Sequence, residues 1–178
     1  MEEIAVHIKE LQGQEAQAKL DHLAAVLHRC VSDGASVSFI APFTLEDARG
    51  YWRQKVLPRL GGRLRLFVAE ADGRVVGTVL LDADTPPNQP HRAEVAKLLV
   101  HGDYQRRGIA QALMTHLLAE ASAMGLTLLT LDTRTHDKAE PLYRKLGFVT
   151  VGVIPAFALS PDGSSLDGTT VMYKQLGQ

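Results

Sequence analysis

The sequence EVAKLLVHGDYQRRGIAQALMTHLLAEASAMGLTLLTLD, residues 94–132, decides the fold of this chain. Its first part, Glu94–Val100, is a mostly apolar run that predicts a strand. Apolar residues then recur every three or four positions over Arg107–Met124, which predicts a helix. Leu126–Leu131 is a short, largely apolar run, and such runs are typical of strands that are buried on both faces. A strand, a helix and a strand in this order predict a right-handed parallel crossover.

Between the predicted strand and helix lies a basic loop that contains a glycine, Gln105-Arg106-Arg107-Gly108-Ile109-Ala110. The first amides of a helix have no partners within the helix, and the helix dipole adds partial positive charge there, so this end favours an anion. Gly108 and Ala110 let a phosphate approach the backbone, while Arg106 and Arg107 supply charge-assisted donors. A solvated basic helix start would use the same residue types. The strand before the loop and the helix after it favour a diphosphate site.

Apolar patterns and turn signals predict the other elements. The clearest is a hairpin, Leu64–Ala71 and Arg74–Leu81, because Asp72-Gly73 between them suits a tight turn with positive φ at both positions. The remaining elements are a strand at Ile4–Ile8, helices over residues 20–31 and 45–57, a short helix at Lys138–Leu146, and strands near Phe148–Leu159 and Thr169–Tyr173. This order predicts one α/β domain over residues 1–178, with a mixed, twisted sheet of about six to seven strands flanked by about four helices.

Local signals also mark helix boundaries. Thr44, followed by Asp47 three residues later, predicts an N-cap in a weak form of the capping box. Gly34 predicts the end of the preceding helix, and Pro58 predicts that the second helix ends or kinks just before it. Residues 34–43 therefore form an apolar, irregular connection.

The composition is that of an ordinary globular protein. Of 178 residues, 46% are hydrophobic, and 19 Lys and Arg nearly balance 20 Asp and Glu, which gives a net charge of −1. This balance argues against a protein that binds nucleic acid through bulk charge. No stretch approaches the ~20 apolar residues of a membrane helix, and no apolar signal segment follows the N-terminus.

The cysteine and histidine residues bear on three points: disulfide bonds, the cellular compartment and metal binding. Cys30 is the only cysteine, so no intrachain disulfide forms, and a reducing compartment fits. We therefore predict a cytoplasmic protein. The seven histidines show no metal-ligand spacing, so no metal site is predicted.

Two motifs resemble those of a known superfamily. The loop at 105–110, read as Gln-x-x-Gly-x-Ala after a strand, resembles the signature of the GNAT superfamily of acyl-CoA-dependent N-acyltransferases. Ala139–Phe148, AEPLYRKLGF, resembles the second motif of that superfamily, and His136 stands where many members have Asn. Four further blocks are similar to the bacterial tabtoxin-resistance acetyltransferases, which acetylate a β-lactam amino-acid toxin. These blocks are residues 34–39, 92–98, 131–133 and 161–163.

The resemblance implies a coenzyme site and a mechanism. The pantetheine arm of acetyl-CoA, as co-substrate, would pair with the backbone of Leu98, Leu99 and Val100, and its pyrophosphate would bind at residues 105–110. One of the strand amides would also bond the acetyl oxygen. The superfamily often uses direct attack by the amine, with no enzyme nucleophile. Tyr143 matches the tyrosine that other members place near the coenzyme sulfur, and it is the candidate general acid.

Two carboxylates are candidates for the base. Asp132 ends a predicted strand, where α/β sheets commonly open into sites, so it would accept the amine proton or hold the ammonium group. It would equally serve as an N-cap or turn aspartate. Glu94 is the alternative base, or an ion-pair partner of Arg92 or Lys97.

The resemblance to the GNAT superfamily implies an acceptor opposite the coenzyme, between residues 34–43 and the start of the strand at Arg92. Ser36, Ser38 and Phe39 would line its site, and Arg92 would pair with a carboxylate. Residues 34–43 contain no acid, so a small amino acid or amino-acid-like toxin is favoured over a polycationic aminoglycoside. A protein amine and a non-catalytic acyl-CoA-binding module stay open as alternatives. The chain is predicted to act as a monomer or homodimer.

Overall fold

The fold follows the predicted order of strands and helices, as a computed structural model that describes residues 5–177 shows. Within those residues there are seven strands and five α-helices. In chain order these elements are β1 (Val6–Leu11), α1 (Gly13–Ala18), α2 (Leu20–Ser32), α3 (Leu45–Tyr51), β2 (Leu64–Ala71), β3 (Arg74–Asp82), β4 (Arg92–Val100), α4 (Ile109–Ala123), β5 (Leu128–Arg134), α5 (Glu140–Lys145), β6 (Val149–Leu159) and β7 (Leu166–Gln175).

All seven strands form one sheet in the order β1-β2-β3-β4-β5-β7-β6. Strands β4 and β5 run parallel and are joined through α4, whereas the other neighbours are antiparallel. This arrangement confirms the mixed sheet and the parallel connection that residues 94–132 predict.

Two apolar layers cover the two faces of the sheet. On β2, Phe67 and Ala69 pack into the layer that contains α4, while Leu66 and Val68 pack into the layer that contains α2 and α3. This alternation follows from the period of two in a strand. Each fully buried aliphatic side chain contributes about 1.5–3 kcal/mol of transfer free energy.

Several predicted signals are confirmed at the level of the backbone. Asp72 and Gly73 have φ values of +51° and +73° in the hairpin turn. The Thr44 hydroxyl accepts a hydrogen bond from the Asp47 amide, and the Asp47 carboxylate accepts one from the Thr44 amide, which completes the capping box. Gly34, at φ +90°, follows the end of α2.

Other boundaries differ from the prediction for local reasons. Helix α4 begins at Ile109 rather than Arg107, because Gly108 has a left-handed φ of +77°. The second predicted helix leaves α-helical geometry at Trp52, before Pro58, and continues as a π-helical turn to Val56 and a 3₁₀ turn. Helix α1 was not predicted.

The strands also differ at their ends. The first strand begins at Val6 and runs to Leu11, and Ile4 lies outside the described residues. Strand β5 is not buried on both faces, since Leu129 and Leu131 are buried but Asp132 is exposed. The reason is that the apolar layer of α2 and α3 contacts strands β1–β4 and includes no residue of β5. Strand β7 is longer than predicted at both ends.

The edge of the sheet formed by β6 exposes many apolar side chains. Seven large apolar residues of β6 and the start of β7 are 47–65% exposed. They are Val149, Val151, Val153, Ile154, Phe157, Leu159 and Leu166. Among residues 5–177, no helix is long and apolar enough to cross a membrane.

Candidate active site

The sheet opens where β4 and β5 part. The two strands pair from Arg92 opposite Leu128 to Glu94 opposite Thr130. Beyond that point β4 continues to Val100 beside β3, and β5 continues beside β7. Within the described residues, β4 and β5 do not pair beyond Glu94, and a wedge opens between them. The backbone groups that face the wedge on each strand lack a strand partner.

A β-bulge bends β4 at the wedge. Thr78 of β3 pairs with Leu99, but Leu80 pairs with Ala96, so β4 contains one extra residue. Lys97 in the bulge has a left-handed φ of +53°, and its carbonyl accepts a 2.9 Å hydrogen bond from the Thr78 hydroxyl. Bulges of this kind end regular pairing and redirect side chains.

The loop at 105–110 is tied to the end of β4. The Gln105 side-chain amide donates to the Val100 carbonyl at 3.1 Å, and the Cys30 thiol donates to the same carbonyl at 3.4 Å. A Cβ built on Gly77 would lie 3.1 Å from a Leu113 methyl group, so a larger residue there would require the side chains of α4 to shift away from β3. These contacts place the start of α4 beside the free edge of β4.

The backbone of the loop leaves the start of α4 open. Arg106 and Gly108 have φ values of +63° and +77°, and a Cβ built on Gly108 meets no atom within 4 Å. The amides of Ile109 and Ala110 therefore begin the helix next to open space, with the exposed Arg106 and Arg107 before them.

Two lysines of the α5 region add positive charge to this end of α4. Lys138 donates to the Gln105 side chain at 2.9 Å, and Lys145 donates to the Gln111 side chain at 3.0 Å. The chemistry of the loop, with free helix amides and neighbouring cations, fits a pyrophosphate.

Tyr143 lies in the middle of α5 and is 7% exposed. Its ring packs edge-on against Phe148, with ring centroids 5.8 Å apart. Burial raises the pKa of Tyr143 above its usual value, and the charges of Asp137 and Asp132 raise it further. The phenol is therefore protonated at neutral pH, as a proton donor must be.

A buried carboxylate fixes the turn that leads into α5. Glu140 is 5% exposed and accepts hydrogen bonds from the Thr170 hydroxyl at 2.6 Å, the His136 amide at 3.2 Å and the Arg144 guanidinium at 3.1 Å. The Thr170 hydrogen bond is the main cause that lowers the pKa of Glu140. Sequence reasoning missed this network because Thr170 lies 30 positions away on β7.

The two candidate bases are accessible. Asp132 is exposed on β5 and accepts a 2.8 Å hydrogen bond from the Thr169 hydroxyl. Glu94 is exposed at the last paired position before the wedge. The negative charges of both carboxylates act to raise the pKa of Lys97.

A cavity of about 510 Å³ lies on the side of residues 34–43. Its wall includes Gly34 and Phe43, together with Arg134, Asp162 and Asp167 from the other end of the sheet. The Ala41 amide donates to the Pro161 carbonyl at 2.7 Å and so joins the two walls. Hydrogen bonds from Ser160 and Ser164 lower the pKa of Asp162 to about 2. The cavity therefore contains acids that residues 34–43 alone do not provide.

None of the four predicted acceptor residues lines this cavity. Ser36 is half-buried and Ser38 is exposed with φ +78°, and neither lines it. Arg92 lies at the paired start of β4, where its guanidinium donates to Gln89 at 2.7 and 2.9 Å and to Thr130 at 2.8 Å. Phe39 stacks on Phe43, with centroids 4.6 Å apart.

Lys97 is a site residue that sequence reasoning did not single out as functional. Its ammonium lies 5.8 Å from the centroid of the Phe39 ring and 5.5 Å from that of Tyr51. Burial lowers its pKa, while Asp132 and Glu94 oppose that shift. A lysine in the otherwise apolar second half of β4, between Ala96 and Leu98, was the available signal.

Known proteins are similar to this chain in part of its sequence and in its fold. N-acetyltransferase 8 of Homo sapiens is 36% identical over 88 residues, which are 48% of this chain and 39% of that protein. An acetyltransferase of Pectobacterium atrosepticum is 36% identical over 89 residues, 49% of this chain and 60% of that protein. The matches thus span less than two thirds of either relative. The structure of yncA from Salmonella typhimurium, solved with its cofactor acetyl-CoA, superposes with a TM-score of 0.77 at 18% identity and covers 98% of this chain and 95% of that one.

The match to a family profile is longer. The profile of the Acetyltransferase (GNAT) family matches residues 29–148, from the end of α2 through the wedge, the loop at 105–110 and α5. The chain therefore belongs to the GNAT acetyltransferase family.

Proposed function

We propose that this protein transfers the acetyl group of acetyl-CoA to the primary amine of a small molecule. The observation that carries the proposal is the wedge between β4 and β5, with the open N-terminus of α4 beside it. When bound, acetyl-CoA supplies an activated acetyl thioester and a thiolate leaving group. The acetyl-CoA found with yncA, which has the same fold, supports this choice of ligand.

Chain segments on both sides of the wedge fit the coenzyme. Leu98, Leu99 and Val100 form the end of β4 next to the bulge, where an extended arm would add like a strand. Residues 105–110 offer helix amides and two arginines to a diphosphate. The pantetheine arm and the pyrophosphate would then lie along one continuous surface.

The proton transfers are assigned to side chains of the site. Tyr143 is protonated and buried, and it would donate to the leaving sulfur. Asp132 or Glu94 would take the proton of the acceptor ammonium, directly or through water, since both carboxylates are accessible. Cys30 is a poor nucleophile, because burial raises its pKa to about 11, and this favours direct attack by the amine.

We assign the acceptor to amino acids or amino-acid-like toxins, as the likeness to the tabtoxin-resistance group suggests. The 510 Å³ cavity has the size of a small-molecule site, and it presents both Arg134 and acids. Mixed charge of this kind suits a zwitterion. Asp162 and Asp167 also support a polycationic aminoglycoside as the second candidate, because their carboxylates would pair with ammonium groups.

A thiol-release assay tests the function. The purified protein should release free coenzyme A from acetyl-CoA in the presence of some member of a panel of amino acids, aminoglycosides and peptide amines. The ratio of kcat/KM between classes then decides the acceptor, because specificity is a ratio of those constants. Binding of acetyl-CoA without turnover on any amine would instead favour the non-catalytic binding module.

The homodimer is the proposed assembly, and the edge strand β6 supports it. The seven exposed apolar side chains of β6 and the start of β7 are the surface that a second copy of the chain would cover. Sedimentation of the wild type and of Val151→Asp tests this: the wild type should be a dimer and the variant a monomer. A monomeric wild type would contradict it. The cytoplasm is the proposed location, on the evidence of the single, buried cysteine.

A further inference from the structure

Lys97 has an unusual backbone and an unusual place in the fold. It is the residue with φ +53° in the β4 bulge, next to the wedge, and it is the one charged residue in the apolar second half of that strand, residues 95–100. A non-glycine residue in this region is uncommon, and such positions cluster at functional sites. The bulge redirects the lysine toward residues that regular pairing would not bring near it.

Two aromatic rings lie near the Lys97 ammonium, which has no close ion-pair partner among the described residues. Phe39 and Tyr51 lie 5.8 and 5.5 Å from it, within the range of cation–π attraction. Within residues 5–177 no carboxylate approaches its nitrogen to 4.0 Å, although Asp132 and Glu94 act on it from farther away. Phe39 in turn stacks on Phe43, which lines the cavity.

A desolvated ammonium without a close counter-ion is costly, and the two rings offset only part of that cost. An anionic group that reached the ammonium would offset the remaining desolvation cost. Arg92, the other cation of β4, is already held by Gln89 and Thr130. Lys97 is therefore the cation of this strand that is available to a ligand.

We propose that Lys97 binds an anionic group of the acceptor, an α-carboxylate in the case of an amino acid, and so selects amino acids over plain amines. The proposal rests on the proposed acetyl transfer and names the residue that would set its substrate class. The alternative role, a neutral Lys97 that accepts the proton of the acceptor amine, is an outcome of the test.

The test uses pairs of ligands that differ only in the carboxylate. Phenylalanine and phenethylamine, tyrosine and tyramine, and lysine and cadaverine are titrated into the protein saturated with coenzyme A, by calorimetry. At least one amino acid should bind the wild type about 30-fold or more tightly than its decarboxylated amine, the range for a close, desolvated charge pair. Lys97→Met should abolish the difference, Lys97→Arg should restore part of it, and the exposed-site control Lys55→Met should leave it unchanged.

The other results overturn the inference in distinct ways. If no wild-type pair differs, or if Lys97→Met keeps the difference, Lys97 does not select the carboxylate. If Lys97→Met lowers kcat equally for acid and amine and changes the pH profile, Lys97 is the base. Failure of the wild type to bind acetyl-CoA contradicts the proposed function itself; the same ligand pairs titrated into the protein without coenzyme A then still test whether Lys97 selects the carboxylate.

Discussion

Replacing Tyr143 with Phe removes one hydroxyl from α5 and leaves its ring in place. The ring is 7% exposed and packs against Phe148 at 5.8 Å, and Phe fills the same space. The variant therefore avoids the ~3–5 kcal/mol loss that follows when an aromatic core residue is cut to Ala. Its melting temperature should stay close to that of the wild type, so a change in rate reports on chemistry.

The size of the effect follows from the proton that the hydroxyl would supply. Loss of a general acid lowers kcat by roughly 10²–10⁴-fold, which is about 2.7–5.5 kcal/mol of activation free energy. Because burial raises the pKa of Tyr143 above 10, the phenol keeps its proton through the alkaline range. The loss in Tyr143→Phe should then be the same at pH 7 and pH 9, and deprotonation of Tyr143 should not reduce the wild-type rate over that range.

Single-turnover acetyl transfer, with enzyme in excess over acetyl-CoA, is the assay, because product release does not limit it. Tyr173→Phe, at a half-buried tyrosine of β7, is the matched control and should keep its rate. A Tyr143→Phe variant that transfers acetyl at the wild-type single-turnover rate would refute the assignment. In that event the thiolate would take its proton from solvent, and Tyr143 would serve only in packing.

Three further changes test other parts of the site. Gly108→Ala forces a Cβ onto φ +77°, a cost of about 1–2 kcal/mol, and should raise the Kd for acetyl-CoA at least about tenfold by calorimetry; Gly73→Ala, at φ +73° in equally open space, should lose similar stability with no change in Kd. Cys30→Ala should keep kcat, and iodoacetamide should leave folded wild-type Cys30 unlabelled, because the thiol is buried with a pKa of about 11; rapid labelling would contradict this. Glu140→Gln should lower the free energy of unfolding at pH 7 by about 1–3 kcal/mol through loss of charge-assisted hydrogen bonds. Since the folded pKa of Glu140 lies below 4.5, its contribution is present above that pH and disappears as pH falls through the folded value, so denaturant curves of wild type and variant should converge in acid; a pH-independent difference would show that the charge is unimportant.

The strand, loop and helix around residues 105–110 could be predicted because their determinants are local. Gly108 supplies a left-handed φ within a six-residue loop, and the flanking strand and helix are adjacent in sequence. Asp72-Gly73 and the Thr44 cap act over even shorter spans. Even here the prediction was imperfect, because the same glycine that opens the loop delays the start of α4 by two residues.

The cavity and the surroundings of Lys97 depend on contacts between distant segments, and no local pattern encodes them. The bulge at Lys97 is a shift in the pairing register between β3 and β4. The Lys97 ammonium lies near Tyr51 because α3 packs over the sheet. Asp162 reaches the cavity because the turn after β6 hydrogen-bonds to Ala41, which lies about 120 positions earlier in the chain. Residues 34–43 contain no acid, so the sequence alone disfavoured polycationic acceptors. The folded cavity holds both signs of charge. The choice between amino acids and aminoglycosides therefore depends on whether a ligand carboxylate finds a cation, and Lys97, in the bulge next to the wedge, is the cation that we propose for it.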